Sequence, residues 1–291
     1  MEPELVIEAR QRDVGGFFVR RVLPSAERML VGPFIFYDHL CPVDFAPGQG
    51  LDVRPHPHIG LATVTFLFEG AFLHRDSLGY AQLIQPGDVN WMISGRGIAH
   101  SERTPPDLRA TGGPLHGIQC WVALPLEHEE IEPSFTHHPS STIPRLALPG
   151  VELTVIAGTA YGKESPVRVL SPTLYVHAQL AAGASLVVDD QHAERAVYVA
   201  SGALSLGQGG REYGEGTLLV LPAGARVELA SRAGARAMLL GGAPLAGARH
   251  IFWNFVASSR ERLDKAKRDW QAGAFGTVVG DEHEFIPLPG A

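Results

Sequence analysis

Apolar residues along this chain fall in short runs at every second position, closed by Gly, Pro or Asn/Asp turns. That is the pattern of strands with one buried face. Residues 62–68 (ATVTFLF) are rich in β-branched and aromatic side chains and stop at Glu69-Gly70. Leu83-Ile84 runs into the turn Gln85-Pro86-Gly87-Asp88, and residues 89–93 form the next strand. Residues 118–124 (IQCWVAL) read as another, ended by Pro125. In the second half, residues 152–157, 173–180, 196–200, 217–221 and 237–240 repeat the pattern. Many short strands with few helical periods point to a sandwich or barrel. One helix stands out: Ser258-Ser259 can cap residues 260–271 (RERLDKAKRDWQ), which are strong helix formers, and Gly273 is a plausible stop.

The two halves share a cadence. Phe68-Glu69-Gly70 followed by Pro86-Gly87 is echoed by Ala200-Ser201-Gly202 followed by Pro222-Ala223-Gly224, which suggests a duplicated barrel. The polar, proline-rich stretch 127–149 interrupts the strands and reads as a linker. The expected organisation is an N-terminal barrel over 1–130, a linker over 131–149, and a second barrel over 150–291 that carries helix 260–271 and a surface tail.

Composition narrows the function classes. The 291 residues are 45% hydrophobic and 19% charged, enough for a packed core and too apolar for disorder. A net charge of -7 with no basic stripe argues against a nucleic-acid binder. No apolar run is long enough to span a bilayer, and residues 1–20 lack an apolar signal core, so a cytoplasmic protein is expected. Cys41 and Cys120 sit in apolar contexts and read as reduced thiols, with one bridge as the other option.

The chemistry concentrates early, since nine of the 13 histidines precede residue 139. His56-Pro57-His58 and His100-Ser101-Glu102 are two pairs spaced by two. On a strand, residues two apart share a face, so each pair offers two donors to one side. Facing each other inside a barrel, three imidazoles and one carboxylate suit iron, manganese, nickel, copper or zinc, and not calcium. Pro55 and Pro57 cannot donate to a ladder, which makes their segment an edge strand or a stiff extended stretch. No nucleophile elbow, P-loop or zinc-finger pattern occurs.

Other residues carry two readings each. His74 and Asp76 either orient a ligand imidazole or belong to a turn held by Asp76 and Ser77. Arg96 faces the pocket or forms a surface ion pair. Trp91 and Met92 line a substrate cavity or pack the core. His137-His138 reads as solvated, and Phe252-Trp253-Asn254-Phe255 as an apolar anchor.

The wording RPHPHIGLATVTFLFEG, LHRDSLG, QPGDVNWMISGRGIAHSERTP and LHGIQCWVALP closely resembles the pirin family within the cupin superfamily. GPFIFYDH, ERAVYV, HIFWNFV and the ending Phe285-Ile286-Pro287-Leu288-Pro289 extend the resemblance over nearly the whole chain. It implies an all-β fold of two cupin jelly-roll barrels packed face to face, with one metal in the first. The family's ligands carry over onto His56, His58, His100 and Glu102, with iron first among the ions and cobalt added to those above. One departure matters: where the general cupin motif has a Glu three or four residues after the H-x-H pair, this chain has Ala62 and Thr63. Glu102 must then supply the carboxylate. His177 and His192 are isolated, so the second barrel is expected to hold no metal.

The resemblance further implies a metal-dependent dioxygenase that opens flavonols such as quercetin with dioxygen, with Glu102 accepting the hydroxyl proton. Its alternative is a non-enzymatic, iron-dependent redox regulator acting through a protein partner. A purely structural metal is a third reading, disfavoured because such sites usually saturate with four tetrahedral ligands.

Overall fold

The computed structural model describes residues 1–14 and 17–290. It resolves into two compact units that exchange segments of the chain. One comprises Met1–Arg12, Arg20–His39 and Ser141–Leu245; the other comprises Asp13–Val19, Leu40–Ser140 and Ala246–Ala291. Both are built almost wholly of antiparallel β-strands. Among the described residues, no helix is long and apolar enough to cross a membrane.

The histidine-bearing unit is built on eight strands, labelled in chain order: β1 (Asp52–His58), β2 (Leu61–Glu69), β3 (Phe72–Asp76), β4 (Ala81–Ile84), β5 (Val89–Ile93), β6 (Ile98–Arg103), β7 (Gly113–Ala123) and β8 (Ser134–His138). They form two antiparallel sheets. One runs β1-β6-β3-β4; the other runs β8-β5-β2-β7 and continues into Phe34–Phe45. Alternation assigns the faces. Thr63 and Thr65 of β2 stand opposite Trp121 and Gln119 of β7, while Val64 stands opposite Cys120 and Trp91 on the other face. A cluster of Phe17, Leu40, Leu51, Leu67, Phe72, Ile84 and Leu115 closes part of the interior.

The other unit follows the same plan with a different filling. Its main sheet orders Leu5–Glu8, Thr217–Val220, Glu194–Leu206, Ala235–Gly242, Thr173–Leu180, Val151–Ala160 and Arg145–Leu148. Its core is aliphatic, with Leu153, Val155, Val176, Val197, Leu219 and Leu239 all buried. His192 donates Nε2–H to the Thr159 carbonyl at 2.8 Å.

The boundaries read from the sequence are corrected in three places. Residues 131–149 are not a linker: β8 pairs with β5 in the register Phe135↔Met92, and Arg145–Leu148 pairs with Val151–Ala160. Backbone pairing needs no apolar run, so a polar edge strand gives little periodic signal. His137 and His138 lie on β8, half-buried, and His137 Nδ1 bonds the Asn90 amide oxygen at 2.8 Å. Lastly, the helix and tail belong to the first barrel's unit, whereas Leu5–Glu8 pairs with Thr217–Val220 of the second.

The helix Arg260–Gln271 follows the sequence expectation, and Ser259 Oγ accepts from Arg262 N at 3.2 Å. It buries Leu263 and Ala266 against Ile59, Ala99, Phe255 and Phe275. The tail beyond it is tied down, since Ile286 N donates to the Pro55 carbonyl at 2.8 Å. Neither Cys41 nor Cys120 forms a disulfide.

Candidate metal centre

The site grows from one edge strand and its neighbour. β1 ends its sheet, the position that Pro55 and Pro57 require. In the pairing of β6 with β1, His100 lies opposite His56, and Ile98 opposite His58. Directly paired residues share a face, so three imidazoles project to one side. Their ring centroids are 4.4, 4.9 and 5.0 Å apart. One nitrogen from each lies within 4.8 Å of the others, and all three rings are buried. Trp121 packs edge-on against His58 at 5.2 Å.

Hydrogen bonds decide which nitrogens remain free. His56 Nδ1–H donates to the Arg54 carbonyl at 2.8 Å, and His58 Nδ1–H to the Asn254 carbonyl at 3.1 Å. A neutral imidazole that donates at Nδ1 keeps its lone pair on Nε2. His100 Nδ1 lies 3.4 Å from His74 Nδ1, and His100 Nε2 is buried with no hydrogen-bond partner. A buried unpaired nitrogen among two other imidazoles fits a metal ion better than it fits any protein contact.

Burial pushes all three imidazoles below their ordinary value of 6.5, His58 and His100 furthest, and neighbouring rings add to the fall in each. At His56 the Arg54 carbonyl and the Glu102 carboxylate oppose the burial effect. Neutral rings are the ligating form. The folded state therefore refuses protons that the unfolded chain accepts, and the metal-free protein should lose stability as pH falls below about 6.5. Thermal melts of metal-free protein between pH 8 and pH 5 should show this acid-side loss, with a smaller slope in His100→Ala. Equal slopes would contradict the buried neutral cluster.

Glu102 stands apart from the three imidazoles. A bulge between His100 and Glu102 shifts its register against β1. Its Oε1 accepts from Thr65 Oγ1 at 3.0 Å and its Oε2 from Gln119 Nε2 at 2.6 Å. Thr65 and Gln119 are a cross-strand pair on β2 and β7, so the opposite sheet holds the carboxylate.

The remaining residues singled out from sequence separate cleanly. His74 and Asp76 lie on β3 and are in contact with each other. Asp76 Oδ1 accepts from the Leu78 and Tyr80 amides, and Oδ2 lies 3.1 Å from His74 Nε2. Met92 packs with Ile98 and Phe135 on the site side. Trp91 is turned to the other face of β5, because neighbouring strand residues alternate. Arg96 is 60% exposed in an ion pair with Glu132, so it is a surface group and not a pocket one.

Five contributors escaped the sequence reading: Thr65, Gln119, Trp121, Phe135 and the Asn254 carbonyl. The threonines and Gln119 left a signal, as polar residues on one face of otherwise apolar strands. Asn254 left none, because it acts through its backbone from 196 residues away. It belongs to the hairpin of His250–Phe252 with Phe255–Ala257, where Trp253 has a positive φ of 53°.

Comparison with known proteins gives two family matches: Pirin over residues 16–122 and the Pirin C-terminal cupin domain over 175–276. A pirin-like protein of Caulobacter vibrioides is 47% identical over 289 residues, covering 98% of this chain and 99% of the relative. A crystal structure of quercetin 2,3-dioxygenase from Acinetobacter baumannii superposes with a TM-score of 0.91 at 33% identity, covering 98% of this chain and 94% of that one. A second quercetin 2,3-dioxygenase structure from the same organism gives 0.88 at 27% identity, covering 94% and 98%.

Proposed function

The chain belongs to the pirin family, and from that premise we propose that it is a metal-dependent dioxygenase opening flavonols of the quercetin type. In this reading His56, His58 and His100 hold a divalent transition metal, iron first, and Glu102, outside that imidazole cluster and held by Thr65 and Gln119, is the carboxylate of the site. The observation that carries it is the buried, partnerless Nε2 of His100 within a three-imidazole cluster. The likeness to the Acinetobacter quercetin 2,3-dioxygenase supports the choice of substrate class.

When bound, the ion supplies a Lewis-acid position that lowers the pKa of a hydroxyl held against it. The chain's own residues do the rest. In this reading Glu102 accepts the flavonol hydroxyl proton at a carboxylate oxygen, the part a general base plays. Thr65 and Gln119 donate to its two oxygens and so keep it aimed. Trp121, Met92 and Phe135 are buried in the interior and help exclude water from the reacting groups.

Iron-, manganese- and nickel-loaded protein incubated with quercetin should consume the flavonol absorbance, and His58→Ala should not. Absence of turnover with every ion rules out the dioxygenase reading. A partner captured only in one iron oxidation state, without turnover, supports the regulator instead. Gln119→Leu should lower kcat about 10- to 100-fold, the usual cost of losing a residue that orients a metal-site group. Its metal content should not change, because the three imidazoles are untouched. Full turnover in that variant removes the carboxylate clamp from the mechanism.

A further inference from the structure

We propose that His74 and Asp76 form a relay that fixes the tautomer of His100, so that a residue two steps removed from the metal decides whether His100 can bind it. The inference rests on the metal-centre reading above and adds the residues that select one ligand's free nitrogen.

The relay is read one proton at a time. Asp76 spends Oδ1 on the amides of Leu78 and Tyr80, at 2.9 and 3.0 Å, which pins the carboxylate to its own turn. Oδ2 then faces His74 Nε2 at 3.1 Å. A carboxylate only accepts, so His74 carries its proton on Nε2 and, as a neutral ring, presents a lone pair at Nδ1. That lone pair meets His100 Nδ1 at 3.4 Å, so His100 is the donor there. The Nε2 of His100 is left as the bare nitrogen, buried and without a partner.

The surroundings prevent His74 from escaping this role. Its ring stacks on Phe135 with centroids 4.2 Å apart and planes 10° from parallel. His74 is itself buried, and strand pairing places it opposite Glu102 while Asp76 lies opposite His100. A ligand imidazole usually donates its second nitrogen straight to a carboxylate or carbonyl, as His56 and His58 do to carbonyls. At His100 an imidazole is inserted between the ligand and the carboxylate, so the choice of nitrogen passes through two rings.

Asp76→Asn separates this role from a structural one. The asparagine oxygen can keep both turn amides, while its NH₂ group now faces His74 Nε2. His74 must then carry its proton on Nδ1, where it confronts the Nδ1–H of His100. The conflict ends only when the His100 proton moves to Nε2, the nitrogen the metal needs. His74→Phe keeps a ring on Phe135 and removes both nitrogens, leaving the His100 tautomer unconstrained but not inverted.

The test measures nickel(II) affinity by chelator competition, metal-free melting temperature, and histidine ¹⁵N shifts, which distinguish protonated from bare ring nitrogens. In the wild type His100 should be protonated at Nδ1, and in Asp76→Asn at Nε2. Nickel affinity should fall about 10- to 100-fold in Asp76→Asn and by less in His74→Phe, although the second is the larger change in shape. Wild-type His100 protonated at Nε2, or Asp76→Asn binding nickel within twofold of wild type, overturns the relay. So does a loss that merely follows melting temperature across both variants. Wild-type protein that binds no nickel refutes the metal-centre reading, while the ¹⁵N shifts of the metal-free protein still decide the tautomer.

Discussion

His100→Ala is expected to cost more than the ~100-fold in metal affinity that an outer-shell change costs, and to abolish flavonol turnover. Two of three imidazoles remain, and His56 and His58 lie on the same strand, so no third nitrogen is held across from them. The metal-free protein should suffer far less. His100 leaves a cavity when truncated, but it also takes away an unpaired buried nitrogen, a feature that costs about 1–3 kcal/mol where it occurs. These effects oppose each other. The loss should therefore appear in metal-linked stability: at nickel 100-fold above its Kd the wild type gains about 2.7 kcal/mol, and the variant gains nothing. Melting both proteins with and without nickel reads this directly. An equal nickel-dependent rise in His100→Ala would show that the ion binds elsewhere.

Gly60→Ala should unsettle fold and site together. Gly60 has φ +67°, and a Cβ there would lie 2.1 Å from the Val256 carbonyl oxygen. A left-handed backbone costs a residue with a side chain about 1–3 kcal/mol, and the clash with a backbone atom adds to it. A loss of about 3 kcal/mol, or roughly 6–12 °C in Tm for a domain of this size, is expected. The displaced strand is also the one that reaches His58. Val256 N bonds the Ile59 carbonyl at 3.2 Å, and two residues earlier the Asn254 carbonyl holds His58 Nδ1. Nickel affinity should fall with stability, as chelator competition on the folded fraction will show. A variant that melts as wild type would mean that the hairpin yields without cost.

Much of the architecture was legible because strand and helix periods are local. Residues 89–93, 173–180 and 260–271 appear as two strands and a helix with the expected limits. The pairing of His56 with His58 needs only alternation along one strand. Glu102 shows where local reasoning ends. Alternation puts it on the same face as His100, yet a bulge and two donors from the opposite sheet set its place relative to the imidazoles. Arg96 and Trp91 needed tertiary information too, since flanking residues do not say which side of a sheet faces the cluster.

Residues 131–149 were misread for a related reason. A polar strand that pairs at a sheet edge has no apolar period, although Phe135 within it supplies the ring under His74. The helix and tail were assigned to the wrong unit because adjacency in sequence says nothing about which core an apolar face covers.

The amino-acid sequence by itself determined the strand-rich class, the one long helix and the residue types of the candidate ligands, since each follows from side-chain chemistry and a spacing of a few residues. Only the tertiary structure decided which nitrogen of each histidine is free, what holds Glu102, and how a carbonyl 196 residues downstream reaches His58. Those outcomes depend on hydrogen bonds between groups distant in the chain, and such bonds become geometrically determined only after the sheets have closed on one another.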